Sequence, residues 1–388
     1  MEDFAKWFCL NNRQNFTIDP QVNPDDAQYY FGRNDIKERL QRQIRRAFIA
    51  PGIPKLMVWG PYGSGKTQTL YYLEYYLKTQ PPNSAKGTPR TLYVTIEMRG
   101  NSNAAHLHMQ LMEALGKNTV AAWVRKLFDG VKDFDKVLLE LANNDSNIFL
   151  ALKELRATGE FSFVAWRWLT GQVLKTNELS GLQLTRNLGE VGAGDLVEAL
   201  VAVGNLAGRV GEKLIFLIDE LEELQNVRAG DAAESIHQYL RRLAEPANAS
   251  VGFLIGFKAD VLDDAPSILR RGDIVGRIGS SNYIDIPPLP AVADVKKFIK
   301  ELLRNLTSEA DVRTRIASDG LNNTEVGIFP FENSAFEMLA DYATQDISRA
   351  LPRYIINAIN ECAIQAWDEG KPLVDEATVN AVAPFVFA

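Results

Sequence analysis

The sequence predicts an α/β fold, a parallel sheet flanked by helices, with a helical insertion and an all-helical domain after it. Three observations carry this. Short apolar segments of strand length alternate with segments of helical periodicity up to about residue 290, the pattern of a parallel sheet covered on both faces. A glycine-rich loop, GPYGSGKT, stands between an apolar strand and a helix. After Pro290 only helical periodicity remains.

In chain order, residues 1 to about 30 read as an irregular extension, with Pro20, Pro24 and many Asn, Gln and Asp. Ile36, Leu40, Ile44 and Phe48 recur every fourth residue and predict a helix over Asn34–Ile49. Lys37, Arg39, Arg42, Arg45 and Arg46 lie off that stripe, and Pro51, Gly52 and Pro54 end the helix. KLMVWG is a strand, Thr67–Thr79 a helix, Gln80–Pro89 a linker and TLYVTIEM a second strand. From about Asn103 to Arg209 the chain reads as helical, with breaks near Asn143–Ser146, Thr158–Gly159 and Gly189–Gly194. LIFLIDE, VGFLIGF and YIDIPPLP are further strands, with a helix over Ala232–Leu243 after the first of them. The final domain, 291–388, holds predicted helices at about Asp294–Leu306, Glu332–Ala343, Ser348–Glu369 and Glu376–Phe385. The expected organisation is an extension (1–30), a main α/β domain (31–290) with an insertion at about 117–208, and the helical domain.

Composition narrows the function classes. Cys9 and Cys362 are too few and too far apart for a disulfide framework, so a reducing cytoplasm is the expected setting. The start MEDFAKWFCLNN lacks the pattern of a signal peptide. The apolar runs Leu214–Ile218 and Val251–Phe257 fall well short of the ~20 residues a membrane helix needs, so no membrane is expected. A net charge of −7 argues against a chain that binds DNA over its whole surface. His106 and His108 have no Cys nearby and read as ordinary surface or core histidines. Trp123, Trp166 and Trp168 read as core, and the basic face of Asn34–Ile49 as a solvated helix face.

The chemistry lies in two motifs. In Gly60-Pro61-Tyr62-Gly63-Ser64-Gly65-Lys66-Thr67 the glycines let successive backbone N–H groups turn inward on phosphate oxygens. The following helix adds its positive end. Lys66 suits the β- and γ-phosphates and the Thr67 hydroxyl suits Mg²⁺, with Gln68 next in line as a nucleotide contact. The expected ligands are therefore ATP and Mg²⁺. The second motif is an apolar strand ending in Asp219-Glu220. Two acids at the carboxyl end of a parallel sheet face its usual ligand side, where Asp219 would hold Mg²⁺ through water and Glu220 would polarise the attacking water.

GPYGSGKT, then LIFLIDE, then an all-helical end resembles the AAA+ ATPases. Phe31-Gly32-Arg33 looks like the entry motif of their origin-recognition initiator clade, and the resemblance puts Arg33 near the adenine. GRIGSSNYIDIPPL is similar to the stretch where that clade carries an arginine finger, which implies Arg277, with Arg270 and Arg271 as alternatives. SRALPRYIINAI resembles the second sensor, which implies Arg353, with Arg349 as alternative. The family's first sensor is usually Asn; here the matching place is Phe257-Lys258-Ala259-Asp260, so Lys258 or Asp260 would have to serve. Within the insertion, WRWLTGQVLKTNEL and the helix leading into LIFLIDELEEL look like ATP-binding proteins of BREX-type phage-defence systems.

The initiators usually add a winged-helix domain, and this sequence ends with the helical lid. The resemblance implies a homo-oligomer, as a ring or spiral, an effector on another chain, and DNA as a candidate partner. The competing expectation is a nucleotide-gated switch that touches no DNA. A protein-remodelling motor would need an aromatic pore loop, and none is recognisable.

Overall fold

Five strands form one sheet: β1 (Lys55–Gly60), β2 (Thr88–Thr95), β3 (Glu212–Asp219), β4 (Val251–Lys258) and β5 (Tyr283–Asp285). Their order is β2-β3-β4-β1-β5. This computed structural model describes residues 3–49, 53–81, 87–190, 192–245 and 247–387. β3 runs parallel to β2, with Thr95 opposite Asp219, and parallel to β4, with Leu214 opposite Val251. From Leu214 to Phe257 the strand residues of β3 and β4 are all buried, which explains their unbroken apolar sequence. Gly252 lets β4 pass close to the chain entering β1, since a Cβ there would sit 2.1 Å from Ile53.

The chain divides into two compact units. One is Leu40–Trp59 with Leu73–Ile284. It holds the sheet and the helices that span about 104–209, whose core runs from Met57 through Leu111, Trp168 and Leu200 to Phe216. Trp123, Trp166 and Trp168 are core residues, and their indole N–H groups find partners where needed: Trp123 donates to Glu212 and Trp168 to Arg186 O. His108 is fully buried between the Tyr239 hydroxyl and Leu169 O, and burial pushes its pKa down to about 4. His106 closes the N-terminal cap of Ala104–Leu115 with Asn103.

The other unit is Met1–Arg39, Gly60–Tyr72 and Asp285–Ala388. Its core joins Phe8 and Phe16 to Phe298, Leu302, Ile355 and Ile359, so the chain start is built into the helical domain's core. Phe16 N–H donates to Asn360 Oδ1 at 2.8 Å.

Several elements depart from expectation. The extension is not irregular throughout: it forms a helical turn at Phe4–Trp7, capped by Asp3, and a 3-10 turn at Pro24–Gln28, capped by Asn23. β2 starts at Thr88, earlier than TLYVTIEM suggests, because pairing with β3 draws Thr88–Arg90 into the sheet. The rest of the Gln80–Pro89 linker falls largely on residues 82–86, which lie outside the described residues, as do the helix breakers Pro51 and Gly52. The helix Glu309–Ser318 went unpredicted, since its only buried residue is Val312 and no apolar stripe announces it. The predicted helix Ser348–Glu369 is a 3-10 turn, Ile347–Arg349, followed by a helix starting at Pro352, because the residue before a proline is driven out of helical geometry.

Candidate nucleotide site

The loop after β1 has the backbone its glycines were expected to allow. Gly63 (φ +82°) and Gly65 (φ +97°) are both left-handed. A Cβ on Gly65 would meet no atom within 4 Å, whereas a Cβ on Gly60 would sit 2.4 Å from Ile286 O. Gly65 is therefore required by its backbone conformation and not by space, whereas Gly60 lets the loop pack tightly. Lys66 is buried at 9 % exposure, and its ammonium donates to Gly60 O (3.1 Å) and Pro61 O (3.0 Å). Ser64 Oγ is fully buried and has no hydrogen-bond partner. Thr67 opens the helix Lys66–Thr79. Gln68 donates its amide to Asp26 O (2.8 Å) and Tyr29 O (2.6 Å).

Arg33 is the residue behind the loop. It is 6 % exposed, and it donates to Ser64 O at 2.6 Å and to Pro287 O. Burial pulls its pKa down, against the pull of Tyr30 and Asp285. The resemblance expected this arginine near the adenine; here its guanidinium is engaged on loop backbone. Gly32 N–H donates to Glu301 at 2.7 Å, which fixes the segment leading into Asn34–Ile49.

Arg353 meets the loop from its other flank. Its N–H donates to Gly63 O (3.4 Å), and its guanidinium lies 4.5 Å from the centre of the Tyr62 ring. A Cβ on Gly63 would come within 3.1 Å of Arg353 Cβ. Arg349 instead donates to Phe387 O and sits 3.6 Å from Asp346. Of the two second-sensor candidates, Arg353 is the one against the loop.

The acidic motif sits in the sheet-bearing unit. Asp219, 4 % exposed, accepts from the Tyr93 hydroxyl (2.7 Å) and from Glu220 N–H (3.0 Å). Glu220 is left-handed (φ 59°), and partial burial together with Asp219, Glu222, Glu223 and Glu97 raises its pKa above the ordinary carboxylate range. That direction suits a general base. At the end of β4, the Lys258 N–H donates to Glu222 (3.0 Å). Lys258 and Asp260 are both exposed.

Among the described residues, no group of three or more His, Cys, Asp or Glu is arranged to hold a metal ion. Mg²⁺ carried on a nucleotide asks less of a protein, one or two oxygen ligands beside water and phosphate. The Thr67 hydroxyl and Asp219 carboxylate are donors of that type.

Of the three arginine-finger candidates, Arg270 ends the short helix Ser267–Arg270, Arg277 lies in the short helix Gly272–Ile278, and Arg271 is the extended residue between the two. Each is engaged within its own unit. Arg270 donates to Ala265 O (2.9 Å), Arg271 to Glu234 (2.8 Å), and Arg277 to Asp273 O (2.7 Å) with Glu245 at 3.9 Å. Tyr93, which orients Asp219, and Tyr30, packed behind the loop beside Thr69 and Arg33, escaped sequence reasoning. An alternating strand position shows only that a side chain faces one side, not which carboxylate it meets.

No protein-family model matches this chain, and no curated protein matches it. Solved structures do. Two structures of the Aeropyrum pernix ORC2 protein match at 12% identity: its ADPNP-ADP complexes, TM-score 0.53 over 99% of this chain and 72% of that one, and its ADP form, TM-score 0.51 over 97% and 73%. The Aeropyrum pernix ORC1 protein in complex with DNA matches with a TM-score of 0.42 and 13% identity, over 95% of this chain and 69% of that one. With its parallel sheet, glycine-rich loop and C-terminal helices, the chain has an α/β P-loop fold of the AAA+ type, similar to that of the Aeropyrum pernix ORC2 protein.

Proposed function

We propose that this chain is an ATP-hydrolysing AAA+ protein that assembles with ATP and acts as a regulatory or motor ATPase in a DNA-directed system such as phage defence, transposition or replication. The observation that carries the ATPase reading is the loop: left-handed Gly63 and Gly65, open space beside Gly65, and a buried Lys66 at the start of a helix. Its fold neighbour ORC2 is described in complexes with ADPNP and ADP, which supports an adenine nucleotide as the ligand.

In this reading the loop, with Lys66, holds the phosphates. Thr67 and Asp219 hold Mg²⁺ on the nucleotide, Glu220 takes the proton from the attacking water, Arg353 reads the nucleotide from the helical domain, and Arg277 serves a neighbouring copy of the chain. The test is nucleotide binding by calorimetry with Mg²⁺, phosphate release, and particle size with and without ATP. A wild-type chain that binds no ATP would overturn the proposal.

A second reading is a nucleotide-gated switch that controls an effector on another chain without touching DNA. One observation favours it: Phe257-Lys258-Ala259-Asp260, the stretch that matches the family's first sensor, holds no Asn, so that Lys258 or Asp260 would have to serve. A salt-titrated DNA-binding assay with and without ATP separates the two. Binding that strengthens with ATP and falls steeply with salt supports the first reading.

A further inference from the structure

The loop residue Tyr62 serves no purpose in the phosphate cradle as described. It is 59 % exposed. Among the described residues, the Arg353 guanidinium lies over it, 4.5 Å from the ring centre. The same arginine approaches the next loop residue twice, through its N–H on Gly63 O (3.4 Å) and through its Cβ, which would stand 3.1 Å from a Cβ added at Gly63. Arg353 is the second residue of the helix Pro352–Asp368, with the Pro352 ring fixing the first turn. Its backbone is therefore set by the helix and by Gly63, and its long side chain remains free to choose a direction. The Tyr62 face makes that choice, because a guanidinium over an aromatic ring is held by the ring's quadrupole.

We propose that Tyr62 is a positioning residue for Arg353: its ring keeps the guanidinium beside the phosphate loop, where the extra charge of a nucleoside triphosphate draws it off the ring. This rests on the ATPase reading above and adds a device to it. The loop senses the triphosphate through an aromatic clamp on the arginine as well as through its own N–H groups. The contact needs the aromatic face and not the hydroxyl.

The test is calorimetric affinity for the non-hydrolysable triphosphate ADPNP and for ADP, both with Mg²⁺, in five proteins: wild type, Tyr62→Phe, Tyr62→Ala, Arg353→Ala and the Tyr62→Ala, Arg353→Ala pair. Tyr62→Ala is expected to weaken ADPNP about twofold to fivefold, and ADP less than half as much. Tyr62→Phe stays near wild type, and Tyr62→Ala adds nothing once Arg353 is gone. The proposal is overturned if the two single effects multiply in the double variant, if ADP and ADPNP weaken equally, or if Phe behaves as Ala. If wild type binds neither nucleotide, the ATPase reading itself falls. If wild type binds both and Arg353→Ala changes neither, the ATPase reading stands and only the clamp is lost.

Discussion

The phosphate loop and the arginine-bearing segment at 266–278 show two ways in which one chain prepares a charge for use. In the loop the backbone is the instrument. Two left-handed glycines, a third pressed against Ile286 O and an arginine bonded to Ser64 O leave the chain little choice of conformation. In the arginine segment the side chains are the instrument. Arg271 lies on Glu234, Arg277 on Asp273 O, and His237 joins Glu234 to Asp273. The first region is held by backbone geometry, the second by side-chain partners on its own surface. Backbone requirements leave marks in a sequence; exchangeable side-chain partners do not.

The sharpest way to break that contrast is Arg277→Ala. If Arg277 acts on a neighbour's ATP, ATP binding to the isolated chain stays within about twofold, while turnover falls by roughly 10³, the lower range for arginine fingers in GTPases. Mixing Arg277→Ala with Lys66→Ala chains then restores part of the phosphate release, since some interfaces carry both intact groups. Full activity of Arg277→Ala together with a dead Arg270→Ala or Arg271→Ala would move the finger along the segment.

Glu220→Gln comes next, with turnover down by roughly 10²-fold or more and nucleotide binding retained. Its pKa also sets a sign. A base works above its pKa, and this one is raised, so turnover in wild type falls as pH drops through a range above that of an ordinary glutamate. A pH–rate profile whose acid limb persists unchanged in Glu220→Gln would assign that limb elsewhere.

Lys66→Ala removes a charged contact to phosphate of ~1.5–3 kcal/mol, about 10- to 150-fold in ATP affinity by calorimetry. Tyr93→Phe is the mildest test. It deletes one hydrogen bond to Asp219, on the order of 1 kcal/mol. The Mg²⁺ concentration needed for half-maximal turnover should then rise several-fold, with the thermal midpoint little changed. An unaltered Mg²⁺ dependence would reduce Tyr93 to packing.

These contrasts explain what could be read from the sequence alone. β3 and β4 are buried on both faces, so their apolar runs stand out, and the helix Asn34–Ile49 was foreseen at both ends because Leu40, Ile44 and Phe48 form its buried stripe. Gly63 and Gly65 are where left-handed backbone is required. Glu309–Ser318 was missed because it buries almost nothing, and Gly272–Ile278 because two turns carry too little periodicity. Tyr93 on Asp219 and Arg33 on Ser64 O are long-range encounters between ordinary residues at ordinary spacings. Only the fold brings them together.

Glu220 keeps a left-handed backbone at φ 59°, which an L-residue with a side chain adopts at about 1–2 kcal/mol of strain. A glycine would occupy the same turn without that strain. If turnover depends on Glu220 as proposed, relief of that strain and activity pull in opposite directions at this one position. A population of variants selected only for surviving high temperature would drift toward glycine or asparagine at this position, and would become sturdier as it lost the acid on which turnover is proposed to depend.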